Sequence, residues 1–374
     1  MKKITVKNYY NRVYGSWLGR VVGDFVGAPV EFRPVIDMRT KYGEITYYPE
    51  PIDLDYVNDD EMYEICALIA LEKNGINLTS QDIAQEWKNL LYTMNFTAEK
   101  VALENLRSGI WPPESAIKNN PFYDAIGAQM RADIWGQITP GSPKIAKKYA
   151  ELDGIISHTG IGIEGEVFVA VLISQAFFEN NIEKNIDSAL KFLPSEDESL
   201  YTQMVKEAKN LYEQFPENFK KARRKLLRYW KNIRSEILIP ELPSNDKARL
   251  SYLTEISNEL DSSPDVHVLP NIGIIILSLL YGAQDKDPLG KSICVAAMMG
   301  LDTDCNCGNI GSILGAQLGA DNIPSKWKDP LQDTFSTYVK GYEKWKISEL
   351  AKRIADIGKK VIEEKCQNKI KIIE

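Results

Sequence analysis

The chain has 374 residues, 44% hydrophobic and 26% charged, with a formal net charge of −7. That composition is ordinary for a globular protein, and the length can bury a large core without covalent staples. A mildly acidic chain is a poor nucleic-acid binder, because such affinity comes mainly from neutralising phosphates.

Residues Met1 to Asn8 lack the apolar run of an export signal. The most apolar stretch, Ile272 to Gly282, is far shorter than the roughly 20 residues of a spanning helix. The chain therefore reads as cytoplasmic and without a membrane partner. Gly15, Gly19 and Gly23 recur at a spacing of four, which on a helix permits close packing against a neighbour. Packing does not explain Glu31, which follows the Gly27-Ala28-Pro29 turn. Glu44 to Tyr48 is the best strand candidate. Asn58-Asp59-Asp60-Glu61 precedes an amphipathic helix from Tyr63 to Lys73, with Ile65, Leu68 and Ile69 on one face. An Asn here caps, and acids in the first turn offset the helix dipole.

Two turns follow, Gly127-Ala128-Gln129-Met130-Arg131-Ala132-Asp133 and Ser157-His158-Thr159-Gly160. A lone histidine is most often structural, which is the simplest reading of His158 and His267. Helical periodicity covers Ile145 to Ala150, Gly165 to Asn180 and Ser199 to Phe215. Residues 184–262 are charge-rich and read as a peripheral helical segment. Within them, Lys220 to Arg234 carries eight basic residues in fifteen, with Tyr229 and Trp230 interleaved. A solvated helix face accounts for that run.

Helices are also predicted over Asn271 to Tyr281, Lys291 to Met299, Cys307 to Leu318 and Ile347 to Cys366. Gly290-Lys291-Ser292 resembles the end of a phosphate loop, but Asp285 stands where that motif needs glycine. The five cysteines (66, 294, 305, 307, 366) show no CxxC spacing and are odd in number, which argues for free thiols. No strand–helix alternation of the kind a parallel sheet needs is visible. The expectation is one compact all-α domain over residues 1–374.

Gly300-Leu301-Asp302-Thr303-Asp304-Cys305-Asn306 separates two small-residue helices. Asp302 and Asp304, two apart in an extended loop, can point to one side. One cap needs one acceptor, and crowded carboxylates repel unless a cation relieves them. With Asp59 and Asp60 they offer four carboxylates, a hard set suited to Mg²⁺, Mn²⁺ or Ca²⁺. Two such ions sharing carboxylates can activate a water between them.

These residues together resemble the ADP-ribosylglycohydrolase family, of the dinitrogenase reductase-activating glycohydrolase kind. The pieces stand in family order: Gly23-Asp24, Gly27 and Glu31; Asn58-Asp59-Asp60; Gly127 to Arg131; Ser157-His158; and Asp302-Thr303-Asp304. The likeness is greatest to a bacterial-type branch reading Asp-Thr-Asp-Cys-Asn at the last motif. It implies an orthogonal all-helical bundle holding two Mg²⁺ or Mn²⁺ ions. It implies a glycoside hydrolase cleaving an N- or O-ribosyl bond and releasing ADP-ribose from a modified side chain. Asn58, Asp59, Asp60, Asp302, Asp304 and the Cys305 position would surround the metals. Glu31, Asp60 and Asp304 would be catalytic, with Glu31 or a metal-bound aspartate taking the proton of water. Gly127, Ala128, Gln129, Arg131 and His158 would contact ribose and diphosphate. Two positions depart from the pattern. Asn58 and Cys305 stand where the family usually has threonine, and a thiol is a poor ligand for Mg²⁺, which puts the second ion in question. The same site would also serve hydrolysis of a free nucleoside or ADP-ribose derivative, or non-catalytic binding of ADP-ribose.

Overall fold

The computed structural model describes residues 1–238, 265–366 and 369–374. The expected peripheral segment is thus seen only up to 238, and its part from 239 to 262 lies outside the described residues. The described chain is predominantly helical, and the fold is all-α. Among the described residues, no helix is long and apolar enough to cross a membrane.

The centre is an antiparallel pair formed by the Val6–Gly27 and Thr303–Leu318 helices. Gly15 lies against Gly315, Gly19 against Gly311, Gly23 against Cys307 and Gly27 against Thr303. A Cβ at Gly19 would collide with the Gly311 carbonyl, so the two backbones touch where side chains would normally separate them. Around this pair lie the Ile161–Ala176 and Val268–Gly282 helices, buried along nearly their whole length. Helices apolar on all sides belong inside a core. The buried hydrophobic residues form one contiguous cluster.

Every helix predicted from periodicity is present, with shifted ends. Cys307–Leu318 begins earlier, at Thr303, and Tyr63–Lys73 begins at Asp60. Glu44 to Tyr48 is not a strand but irregular chain, held by its tyrosines: Tyr48 Oη donates to the Trp327 carbonyl at 2.6 Å. The strands observed are shorter and elsewhere. Lys2–Thr5 pairs in parallel with Ile370–Ile373, and Thr334–Ser336 pairs antiparallel with Lys344–Lys346. Such three- and four-residue strands carry too little alternation to be read from sequence.

The basic run sits on the Phe219–Leu238 helix, where Ala222, Leu226 and Trp230 pack inward and Lys221, Arg224, Lys225 and Arg228 face solvent. Gly290-Lys291-Ser292 forms the first turn of the Pro288–Met299 helix. The Asp287 carboxylate accepts from the Gly290 amide at 3.1 Å, which puts a negative group where a phosphate would bind.

Candidate active site

Both acidic clusters stand at helix N-termini. Asp59 is the N-cap residue of the Asp60–Asn74 helix and Asp302 that of the Thr303–Leu318 helix, and neither side chain makes a capping hydrogen bond. Capping therefore does not consume these carboxylates. Gly300 and Leu301 both take positive φ (75° and 70°), a turn that swings the chain and presents Asp302 to the interior. The glycine seam ends beside them. The Thr303 hydroxyl donates to the Gly27 carbonyl at 2.8 Å, and Phe32 N–H donates to the Leu301 carbonyl at 3.0 Å. The Ala28–Val30 turn that follows Gly27 delivers Glu31 to the same place.

The result is a cavity of about 340 Å³. Its wall includes Glu31, Asn58, Asp59, Asp60, Gly127, Asp302, Asp304 and Cys305. All six residues expected around the metals line it. The Cys305 thiol donates to Asp60 Oδ1 at 3.3 Å across 245 residues of sequence. Asp302, Asp304 and Cys305 each place a ligand atom within 4.8 Å of the others. Asn58 Oδ1 already accepts the Asp59 amide at 2.8 Å, so one of its two lone pairs is used.

Electrostatics make the cavity demanding. Among the described residues no lysine or arginine lines it. Burial, then neighbouring carboxylates, push Asp302 and Asp59 well above the usual aspartate range. Asp60 is raised likewise by burial, although Arg20 donates to its Oδ2 at 2.9 Å. Glu31 is pushed up to about 8 by burial, then by Asp304 and Asp60. Arg20 cannot neutralise the whole group. It also donates to Asp133 at 3.1 Å and lies near Asp24 and Glu64. Asp302 Oδ1 and Asp304 Oδ1 are buried with no hydrogen-bond partner. Unpaired buried anions are costly, and hard oxygen donors so arranged fit a divalent cation.

The expected substrate contacts divide. Gly127 lies on the wall, but Ala128, Gln129, Arg131 and His158 are fully buried one layer behind it. Gln129 accepts from Tyr201 Oη at 2.7 Å. Arg131 donates to Glu99 at 2.6 Å, to Asp153 at 3.0 Å and to the Ser157 hydroxyl at 2.9 Å. His158 Nδ1 lies 2.8 Å from that hydroxyl, and burial, then Arg131, hold the imidazole well below its ordinary pKa. The Ser157 hydroxyl accepts from Arg131 and shares its other hydrogen bond with His158. These groups support the wall rather than form it.

Glu99, which sequence reasoning missed, is the wall residue they support. It lies in the first turn of the Thr97–Arg107 helix, where an acid reads as ordinary dipole compensation. A Cβ on Gly127 would collide with its carboxylate, so any side chain there would have to displace Glu99. Phe32, Tyr56, Met94, Phe96 and Thr97 complete the mouth, and Phe32, Met94 and Thr97 have positive φ. Non-glycine residues in that region store strain, and such strain gathers at functional sites.

Comparison with known proteins agrees with this architecture. Residues 5–364 match the family model described as ADP-ribosylglycohydrolase. An uncharacterized protein of Archaeoglobus fulgidus is 28% identical over 193 residues, covering 49% of this chain and 61% of that protein. The match thus spans less than two thirds of the relative. A solved structure titled "ADP-ribosylglycohydrolase-related protein complex" is similar with a TM-score of 0.56 at 16% identity, covering 94% of this chain and 99% of that one. That likeness is one of fold.

Proposed function

The chain belongs to the ADP-ribosylglycohydrolase family, and from that premise we propose that it is a metal-dependent hydrolase of a ribosyl glycosidic bond, releasing ADP-ribose from a modified side chain. One observation carries the reading. Two aspartate-bearing helix N-termini, neither spending its N-cap side chain on capping, open into one cavity with unpartnered buried oxygens. Asp302 and Asp304 would hold a Mg²⁺ or Mn²⁺ ion from one side, with Asp59, Asp60 and the Asn58 amide oxygen facing from the other. A divalent cation bound there supplies charge stabilisation and lowers the pKa of water.

The chain's own residues do the rest. Glu31, carried on a short turn at the mouth, would accept a proton from the attacking water once a bound cation's charge offsets the burial and neighbouring carboxylates that raise its pKa. Asp60, oriented by Arg20, keeps its other oxygen toward the cavity. Glu99 and the Gly127 backbone shape another part of the wall and position the ribose. Arg131 and His158 act through Glu99. A second reading, action on a free nucleoside or ADP-ribose derivative, draws on Tyr56 and the half-exposed Phe96 at the mouth, which offer a flat base a stacking surface.

The test is release of ADP-ribose from modified arginine and serine peptides, beside release of base from nucleosides, with Mg²⁺, Mn²⁺ or chelator. Asp304→Ala is expected to abolish turnover and keep a native circular dichroism spectrum. Full turnover by that variant overturns the metal reading. Exclusive release of base from nucleosides replaces the first substrate class by the second.

A further inference from the structure

Cys305 does not sit in the cavity by default. On the same helix Cys307 turns away and donates its thiol to the Ile293 carbonyl at 3.4 Å. Cys305 lines the cavity wall, and its sulfur reaches Asp60 at 3.3 Å. It shares a ligand-sized cluster with Asp302 and Asp304, all three buried. The two aspartates each keep one buried oxygen without a hydrogen-bond partner. The thiol also hydrogen-bonds Asp302. It leaves Asp302 Oδ1 and Asp304 Oδ1 without a partner.

A ligand set of two carboxylate oxygens and one sulfur is not a magnesium set. Mg²⁺ demands oxygen, whereas a thiolate selects ions further along the first transition series, such as Co²⁺ and Zn²⁺. From this geometry, and resting on the metal reading above, we infer that Asp302, Asp304 and Cys305 form a mixed oxygen–sulfur site preferring a borderline divalent ion of the Zn²⁺ or Co²⁺ type over Mg²⁺. Cys305 is a direct ligand there. On binding, the thiol releases its proton to solvent, sulfur bonds the ion, and Asp60 loses the hydrogen bond it accepted from Cys305. The ion's charge also removes the repulsion among the carboxylates that the thiol hydrogen bond does not relieve.

The experiment is titration of the metal-free full chain with Co²⁺, Zn²⁺ and Mg²⁺, followed by calorimetry and by near-ultraviolet absorption. Bound Co²⁺ is expected to give a thiolate-to-cobalt charge-transfer band in the wild-type chain. The band is expected to vanish in Cys305→Ser and Cys305→Thr, with Co²⁺ affinity lower by roughly tenfold or more. Mg²⁺ affinity is expected to hold or rise in both variants. Circular dichroism identifies a variant that fails to fold, and the other then carries the test. Co²⁺ binding with no such band, at an affinity unchanged by either substitution, overturns the inference and leaves the metal reading intact. If none of the three ions binds the wild-type chain, both fall together.

Discussion

Arg131 is buried completely, yet its guanidinium is fully engaged by Glu99, Asp153 and Ser157. Losing one partner of a buried pair costs far more than the pair contributes, because a charge is left without compensation. Arg131→Met is therefore expected to destabilise the protein by about 3–5 kcal/mol, measured by urea unfolding. It should also release Glu99 from its position on the cavity wall. Behind Asp153 lies Glu166, fully buried. Burial raises its pKa well above the usual glutamate range, and the Asp153 charge adds to this against the pull of Arg131. Glu166 is therefore expected to keep its proton to higher pH than an ordinary glutamate. The unfolded chain gives up that proton above the ordinary glutamate pKa, so folding must take it back. Stability is fully present below that pKa and falls as pH rises toward the folded value, by at most about 1.4 kcal/mol per pH unit. Glu166→Gln keeps a donor to Asp153 and needs no proton. Its stability relative to wild type is expected to rise with pH above the acid range, and a difference that stays flat would refute a protonated Glu166.

At the scale of elements, the glycine seam fixes the site more than any loop does. Four contacts along the Val6–Gly27 and Thr303–Leu318 helices set their axial register, and the last of them lies beside Asp304. Gly19→Ala would force the backbones apart at the middle of this seam. It is expected to cost at least about 2–3 kcal/mol by denaturant unfolding. A shifted register should also impair turnover more than the residual stability accounts for. The spacing of four was legible in the sequence as a packing signal, but its partner helix was not, because nothing local specifies which surface meets it. The acidic clusters were legible as candidates for the same reason that left them ambiguous: Asp59 and Asp302 do occupy N-cap positions. Only geometry distinguishes a cap from a ligand. Arg131 and His158 were expected to contact substrate only through the family resemblance, and the residues by themselves read as a structural turn. Their burial depends on Asp153 and Glu99, whose pairing with Arg131 no spacing announces. The short strand at Lys2–Thr5 escaped notice because its partner lies at the far end of the chain.

For the whole molecule, the cavity is a stability cost carried for function. Carboxylates from four segments converge there, and among the described residues no basic side chain lines the wall. Active sites commonly hold such unfavourable arrangements, which replacement relieves at the expense of activity. Asp304→Asn removes one negative charge with little change of shape. In the presence of a chelator, this variant is expected to melt above the wild-type chain, because like-charge repulsion falls. A divalent ion reverses the order. Binding only to the folded state stabilises it by about 2.7 kcal/mol when free ion exceeds its dissociation constant a hundredfold. The wild-type chain should gain that amount and Asp304→Asn little of it. The crossing of two melting temperatures with added metal is a sharper criterion than either value alone. A variant weakened by lost packing would melt lower under both conditions, and a cavity that binds no cation would leave the chelator ranking unchanged. Only a crowded carboxylate site whose charge a metal offsets produces the reversal.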